Sequence, residues 1–445
     1  MNDAVDVDTA PLRRCCRFVC VAAALAAGAL ITAVPHRAWA QHSAAEDRCH
    51  AAVQDAAHPP ANLTRVSLRV LQPSVEPVPA TDGLIHLAYL AQVTNTVRRA
   101  AEILDVVAVD PLADFAPTGR NIELDAEGND VTGKVKRFGR PELVDPEPEP
   151  VPEFSKQVPG ERGGLMFFDV TYTDPAQIPR LLAHAITVAI PVGGPGVQSL
   201  TDPVPVGCVP FAVLHPPLVG HGWTAFMGCC TTVAYHRDAI FALNGDFKTP
   251  EHFAIDFIQL GPNNSCCNGP PQALSSWFGY GTPVLAAAHG MVVEVVDGLP
   301  DQPIGGPIIP VPLANLAGNH VIEDIGAGRF VMYAHLKPGT IPARVRKGAV
   351  LSPGELIGRF GSSGNSDVPH LHFQVMDRPS PLDAHGLPFV FDTQLLEGHA
   401  PELVPPSQFA TFLSGAPLPI DRTGAGLRRD LMPARNDVFG YNLSQ

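Results

Sequence analysis

Basic residues are scarce in this chain. Lysine and arginine together number 30 among 445 residues, against 44 aspartates and glutamates, which gives a formal net charge of −14 at pH 7. A surface of that sign repels the phosphates of nucleic acids and the headgroups of anionic membranes. We therefore expect no nucleic-acid partner, and no stable membrane insertion once an N-terminal export signal has been removed.

The sequence also lacks internal repeats of fixed period and any long helical periodicity. It holds 47 prolines and 40 glycines, which set turn dihedrals and interrupt helices. Short runs of Val, Leu and Ile between such turns are typical of strands. A mainly β protein is predicted, with strands in residues 63–71, 84–93, 103–109, 165–172, 181–190, 254–260, 283–296, 319–325, 330–335, 355–360 and 370–376.

Changes in composition divide the chain into segments. Residues 1–40 combine arginines, an apolar run and an Ala-Trp-Ala end, the pattern of a cleaved signal peptide; an uncleaved N-terminal anchor is the alternative. We expect a periplasmic or secreted protein with a leader (41–61), a β-sandwich-like domain (62–191), a Cys/Gly/Pro-rich bridge (192–250), a catalytic domain (251–394) and an irregular tail with one hairpin (395–445). The proline-rich, acidic residues 141–152 are predicted to form an extended loop.

Cysteines with the spacing of a thiolate metal site are absent. Such sites usually need Cys-x2-4-Cys, whereas the six cysteines beyond the signal comprise two isolated residues and two adjacent pairs. In an exported chain these predict disulfides. Neighbouring cysteines seldom bond to each other because the ring is strained, so we expect bonds between the two pairs, Cys229-Cys230 and Cys266-Cys267.

Three histidine segments are candidates for metal chemistry. In a strand, residues i, i+2 and i+4 face the same side, so His252 and Asp256 are expected to project together, and so are His370 and His372, about 7 Å apart. His335 lies in a further apolar strand. Two histidines and a carboxylate form a recurrent catalytic zinc set, although the spacing alone does not show that these segments meet.

The surroundings of these histidines resemble the lysostaphin-type (LytM-like) peptidoglycan endopeptidases, metallopeptidase family twenty-three. The similarity spans roughly residues 251–378 and is carried, in the family's order, by the segments 253–257 (FAIDF), 281–290 (GTPVLAAAHG), 318–323 (GNHVIE), 331–336 (VMYAHL) and 361–373 (GSSGNSDVPHLHF). This chain departs from the family in a longer connection, residues 261–279.

The resemblance implies an antiparallel β-sheet domain (the duplicated hybrid motif) with a groove walled by loops. It also implies that His252, Asp256 and His372 bind one Zn²⁺, and that His335 and His370 act on the water and the oxyanion. The function implied is hydrolysis of peptide bonds in peptidoglycan stems or cross-bridges.

Two other classes of function are open to the same sequence. A cell-wall regulatory or binding protein would keep the zinc site but have it occluded. A biotinyl- or lipoyl-type carrier module is suggested by the turns of residues 345–358, but the exposed acceptor lysine of such carriers is missing there.

Overall fold

A computed structural model describes Cys49, Val53 and residues 63–441, except residues 126–128, 138–153, 232–234, 306–308 and 403–405. The predicted signal peptide, the proline-rich loop and, but for Cys49 and Val53, the leader lie outside the described residues. No helix within these described ranges is long and apolar enough to cross a membrane.

The N-terminal domain is built from two antiparallel sheets. Its strands are β1 Val66–Val70, β2 Val78–Pro79, β3 Ile85–Asn95, β4 Ala101–Asp110, β5 Ala116–Pro117, β6 Arg120–Asn121, β7 Val135–Arg137, β8 Phe154–Ser155, β9 Gln157–Val158, β10 Gly163–Tyr172, β11 Leu181–Ala189, β12 Gly196–Leu200 and β13 Val204–Pro205. One sheet has the order β1-β3-β10-β7-β8 and the other β12-β11-β4-β5, with short strands added at their sides.

These two sheets share one hydrophobic core. Side chains of β3 and β10, such as Tyr89 and Phe168, pack with Ile103 of β4 and Ile186 of β11. Alternate residues of β3 and β10 face the other sheet, which is the arrangement of a β-sandwich, and the intervening Leu90, Leu165 and Phe167 are buried in a second cluster. The mainly β prediction is confirmed, and β1, β3, β4, β10 and β11 lie within a few residues of the predicted runs.

The C-terminal domain is built around one large sheet. Its strands are β14 Ala212–Leu214, β15 Gly220–Phe226, β16 Phe241–Leu243, β17 Asp246–Lys248, β18 Ile255–Gln259, β19 Pro283–Leu285, β20 Gly290–Val296, β21 Asn319–Asp324, β22 Phe330–Leu336, β23 Val350–Leu351, β24 Leu356–Arg359, β25 Leu371–Met376, β26 Gly386–Leu387, β27 Phe389–Phe391, β28 Gln394–His399, β29 Gly426–Arg428 and β30 Asp437–Tyr441. The 11-stranded sheet has the order β23-β20-β21-β22-β25-β18-β15-β30-β28-β29, with β26 beside β25.

Helices contribute little to this fold. Among the described residues from 63 to 441, one α-helix, α1, spans Pro406–Leu413. It packs its Phe412 against Cys266, Cys267 and Trp277 of the long connection 261–279, in a small core separate from the main one. Single 3-10 turns occur at Pro111–Ala113, Pro175–Gln177, Tyr235–Asp238, Leu274–Ser276 and Leu313–Asn315.

Two segments outside the predicted catalytic domain belong to its sheet. β15 comes from the predicted bridge and lies between β18 and β30, and β28 and β30 come from the segment expected to be an irregular tail. The expectation of an irregular tail is wrong because Phe439 and Tyr441 of β30 are completely buried in the main core. These apolar runs are short and rich in glycine, so the sequence pattern did not mark them as strands.

The expected disulfide bonds between the two cysteine pairs are not formed. The Sγ atoms of Cys229 and Cys230 lie against each other, and Cys49 is bonded to Cys208. Cys266 and Cys267 are free and buried, because the small core around α1 encloses them away from the other pair.

Candidate metal centre

Neighbouring strands bring the first polar side chains of the site together. β25 runs antiparallel to both β18 and β22, and its His372 pairs in register with Asp256 of β18 and with Ala334 of β22. Cross-strand partners have Cβ atoms about 4.5–5.5 Å apart. Accordingly Asp256 Oδ1 lies 3.0 Å from His372 Nδ1.

His335 reaches the same site through an irregular backbone. Side chains alternate along a strand, so the residue after Ala334 would ordinarily face away from His372. His335 has φ of 60°, in the left-handed region that few residues other than glycine adopt. Its ring centroid lies 4.5 Å from that of His370 and 5.8 Å from that of His372. Unusual backbone angles of this kind cluster at functional sites.

His370 immediately precedes β25 and is the fourth predicted site residue that lies in this group. Its Nε2 lies 3.5 Å from Asp256 Oδ1. The ligand atoms of His335, His370 and His372 are all within 4.8 Å of one another. The structure therefore brings together four of the five predicted site residues, namely Asp256, His335, His370 and His372.

The fifth predicted residue, His252, lies apart from this group. The expectation that it projects from the same strand as Asp256 is wrong, because β18 begins only at Ile255 and residues 251–253 form a turn. The expectation assumed that side chains alternate along a strand from 252 to 256, and this alternation does not extend through the turn. His252 is buried against the ring of Phe253, with centroids 4.8 Å apart, and burial lowers its pKa to about 3. Within the described ranges it belongs to no group of three metal-binding side chains.

A further histidine, His236, which the sequence did not single out as a ligand, lies beside Asp256. His236 Nε2 lies 3.3 Å from Asp256 Oδ2, and its ring centroid is 4.9 Å from that of His372. The ligand atoms of His236, Asp256 and His372 all fall within 4.8 Å of one another. His236 lies in the 3-10 turn Tyr235–Asp238, 20 residues before Asp256, where no strand periodicity relates the two.

Hydrogen bonds at the outer side of each ring aim the other ring nitrogen at the site. The Nδ1 atoms of three histidines each lie within hydrogen-bond distance of a backbone carbonyl: His236 with Ala254 (3.1 Å), His335 with Ser363 (2.7 Å) and His370 with Val368 (2.8 Å). Nε2 of His372 lies 2.5 Å from Gln374 Oε1, which leaves its Nδ1 toward Asp256. Histidine ligands of metals are held in this way almost without exception. The residues present fit a divalent metal of the zinc type.

Charge within the site follows the same arrangement. Burial raises the pKa of Asp256, but the neighbouring His236 and His370 outweigh it and hold that pKa well below its usual range. Burial, together with His370 and His372, holds the pKa of His335 well below its usual range. Burial lowers the pKa of His236, but the neighbouring Asp256 outweighs it and raises that pKa to about 9. The centre thus presents an ionised carboxylate, a protonated His236 and a neutral His335, and metal binding requires that ligand imidazoles be unprotonated.

Comparison with known families identifies the domain that carries this centre. Residues 277–384 match the model of Peptidase family M23. The matched residues include His335, His370 and His372, so the resemblance seen in the sequence is confirmed: residues 277–384 belong to a domain of the M23 type, a family of zinc-dependent peptidases. His236, His252 and Asp256 precede the matched residues. No curated protein matches the chain.

Solved structures similar to this chain include three peptidases. The catalytic domain of the antimicrobial peptidase lysostaphin from Staphylococcus simulans is 23% identical over 38% of this chain and 88% of its own, with a TM-score of 0.21. A mutant catalytic domain of a prophage-encoded M23 protein from Enterococcus faecalis is 23% identical over 39% and 92%, with a TM-score of 0.21. A putative peptidase M23 from Pseudomonas aeruginosa is 16% identical over 61% and 87%, with a TM-score of 0.21.

Proposed function

We propose that this protein is an exported zinc endopeptidase that hydrolyses peptide bonds in peptidoglycan stems or cross-bridges. The observation that carries the proposal is the convergence of four histidines and Asp256 at one point of a sheet that includes an M23 domain. Export is supported by the signal-like residues 1–40, and the substrate by the resemblance to lysostaphin-type enzymes. The same reasoning favours the periplasm or the exterior of the cell as the place of action.

Asp256 and His372 are proposed as protein ligands of one Zn²⁺. The resemblance assigns the third position to His252, but His236 contacts Asp256 while His252 lies apart. When bound, zinc would lower the pKa of a water molecule toward neutrality and polarise the carbonyl of the scissile bond.

His335 and His370 are proposed to move protons at their Nε2 atoms. Nδ1 of each ring faces a backbone carbonyl and donates to it, so Nε2 is the nitrogen that points into the site, and in His370 it lies 3.5 Å from Asp256 Oδ1. One imidazole takes a proton from the attacking water, and a protonated imidazole delivers it to the leaving amine. The other is positioned to donate to the oxyanion.

The test is metal content and cell-wall hydrolysis, measured on the chain from residue 41 onward and on His370→Ala. We expect about one equivalent of zinc in both proteins, and loss of turbidity of a cell-wall suspension only with the unmutated protein. Removing a general acid or base costs about 10²–10⁴-fold in rate. The matched control is His289→Ala, which removes an exposed histidine of the same domain and should leave both measurements unchanged.

Each contrary result has a distinct meaning. Absence of zinc from the unmutated protein would refute the metallopeptidase proposal. Zinc without hydrolysis by the unmutated protein would favour the cell-wall regulatory or binding function, and full activity of His370→Ala would remove that residue from the mechanism.

A further inference from the structure

The Nδ1–H of His335 donates to a carbonyl group on a different segment of the chain. The acceptor is the carbonyl oxygen of Ser363, 2.7 Å from Nδ1, in the segment of residues 362–364. A hydrogen bond at one imidazole nitrogen fixes the tautomer and the orientation of the ring, and so decides where the other nitrogen points. The direction of His335 Nε2 therefore depends on where the 362–364 segment places one carbonyl group.

Two adjacent residues of the connection between β20 and β21 hold the 362–364 segment. Asp301 Oδ1 accepts a hydrogen bond from the backbone N–H of Ser362 at 2.8 Å. The side-chain amide of Gln302 donates to the carbonyl oxygen of Gly364 at 2.7 Å, and its backbone N–H donates to the carbonyl oxygen of Ser362 at 2.8 Å. The residues on both sides of Ser363 are thus fixed, while the carbonyl of Ser363 itself faces His335.

The side chains of Asp301 and Gln302 are themselves held in place. Both amide N–H groups and the side-chain oxygen of Gln302 have partners, because Gln302 also exchanges two hydrogen bonds with the backbone of Ile309. Only 3% of Gln302 is exposed. The second carboxylate oxygen of Asp301 accepts from the Tyr280 hydroxyl at 2.6 Å. Buried polar groups keep such partners because losing them is costly, so this support is rigid.

The backbone of His335 requires support of this kind. Its φ of 60° lies in the left-handed region, and a residue other than glycine persists there only where the surrounding structure holds it. The backbone N–H of His335 donates to the carbonyl oxygen of Ala317, and the side chain is held by Ser363. Whatever fixes the position of Ser363 therefore also fixes the catalytic ring.

We propose that Asp301 and Gln302 are positioning residues for the reaction: through the 362–364 segment they orient His335 and aim its Nε2 into the metal centre. The inference rests on the proposed function, because it assumes that His335 moves a proton during hydrolysis. Both residues act through the backbone of that segment and not by contact with the metal or the substrate.

Exchange of the His335 Nδ1 proton with water tests the inference without relying on activity. The chain from residue 41 onward is prepared with ¹⁵N-labelled histidine, and the NMR signal of this proton is assigned by its loss in His335→Gln. Gln302→Met removes the bond to Gly364 and keeps a side chain of similar size. We expect exchange about 10-fold faster in this variant, as the loss of one buried hydrogen bond predicts.

The matched control is Gln394→Met. Gln394 is also buried, with 1% exposed, and donates its amide to a backbone carbonyl, that of Leu431 at 2.9 Å, but it lies on β28. The exchange of the His335 proton should be unchanged in this control. Asp301→Asn keeps an oxygen that accepts from Ser362 and should retain the slow exchange that Asp301→Ala loses. Circular dichroism checks that every variant is folded.

The kinetics of cell-wall hydrolysis by the zinc-loaded protein give the second measurement. Loss of turbidity is followed at several cell-wall concentrations, so that kcat and KM are separated. Gln302→Met and Asp301→Ala should lower kcat by about 10-fold or more, because a misplacement of about 1 Å can cost about 100-fold in rate. KM should hardly change, since neither residue contacts the substrate, and Gln394→Met should keep both values.

Several results would overturn the inference. These are the lack of a slowly exchanging His335 proton in the unmutated protein, slow exchange or an unchanged kcat in folded Gln302→Met and Asp301→Ala, and equally faster exchange in Gln394→Met. An unmutated protein that binds zinc but hydrolyses no cell wall would refute the proposed function and this inference with it. Unaltered variants of an active protein would refute the inference alone.

Discussion

Single buried histidines in this protein have protonation states set by what lies next to them. The imidazoles around Asp256 lie beside an ionised carboxylate. His184, in contrast, is fully buried in the N-terminal core, and its Nε2 lies 2.7 Å from the hydroxyl oxygen of Tyr89. Burial lowers the pKa of His184 to about 3. A histidine kept neutral in the folded state makes stability depend on pH.

The pH dependence of unfolding should reveal His184. In the unfolded chain this ring takes up a proton near pH 6.5, but in the folded chain only near pH 3, so stability falls as the pH drops through this window. Between pH 7 and pH 5 the loss due to this residue is about 2 kcal/mol. Urea unfolding at the two values should show a smaller loss in His184→Gln, by about that amount, and no change in the control His289→Gln. Equal losses in all three proteins would contradict the prediction.

At the scale of elements, β15 joins the two parts of the C-terminal sheet, since it lies between β18 and β30. It pairs with β18, which carries Asp256, and with β30. Its Trp223 is completely buried, lies 5.6 Å from the ring of Phe360 and donates its indole N–H to the carbonyl oxygen of Val219. A fragment that began after β15 would expose two strand edges and the main core.

Trp223→Ala should therefore destabilise the protein severely. Replacing a buried tryptophan by alanine costs about 3–5 kcal/mol, because apolar contacts are lost and a cavity remains. The free energy of unfolding in urea measures this. Val219→Ala is the control, since Val219 is 42% exposed and contributes its backbone to the contact; a change within about 0.5 kcal/mol is expected there. Similar small effects of both substitutions would show that β15 is peripheral.

The whole molecule is held together by contacts between its two domains. Val78, Ala80 and Ala88 of the N-terminal domain belong to the core of the C-terminal sheet. The Thr81 hydroxyl donates to Asp437 of β30 at 2.5 Å. The buried Arg237–Glu123 pair adds a polar contact between the N-terminal domain and the turn beside the metal centre. Unfolding of one domain is therefore expected to be coupled to the other.

A double-mutant cycle measures that coupling. Glu123→Gln and Arg237→Met should each cost about 3–5 kcal/mol, because each leaves a buried group without its charged partner. The double variant should be more stable than the sum of the single effects predicts, by about 1–3 kcal/mol. Urea unfolding of the four proteins gives the value. Additive effects would mean that the two side chains stabilise the protein independently.

Local sequence patterns were enough to predict the fold class, the long strands and four of the residues that the structure brings together at the centre. Short runs of Val, Leu and Ile predict strands from neighbouring residues alone, so β3, β4, β10 and β11 could be predicted without knowledge of the rest of the chain. His370, His372 and His335 were recognisable because they lie in a short, characteristic motif that the family match also contains. These features depend on neighbours in the chain, and one sequence contains that information.

Contacts between distant segments were needed to place His236 beside Asp256. The strand pattern assigned His252, but a turn at residues 251–253 directs it elsewhere, and an anchored turn 20 residues upstream brings in His236. The tertiary structure likewise decided that β15, β28 and β30 complete the sheet and that Cys266 and Cys267 remain unpaired. Each of these outcomes depends on buried contacts between segments far apart in the chain, such as Arg237 with Glu123, and spacing along a single sequence carries no record of them.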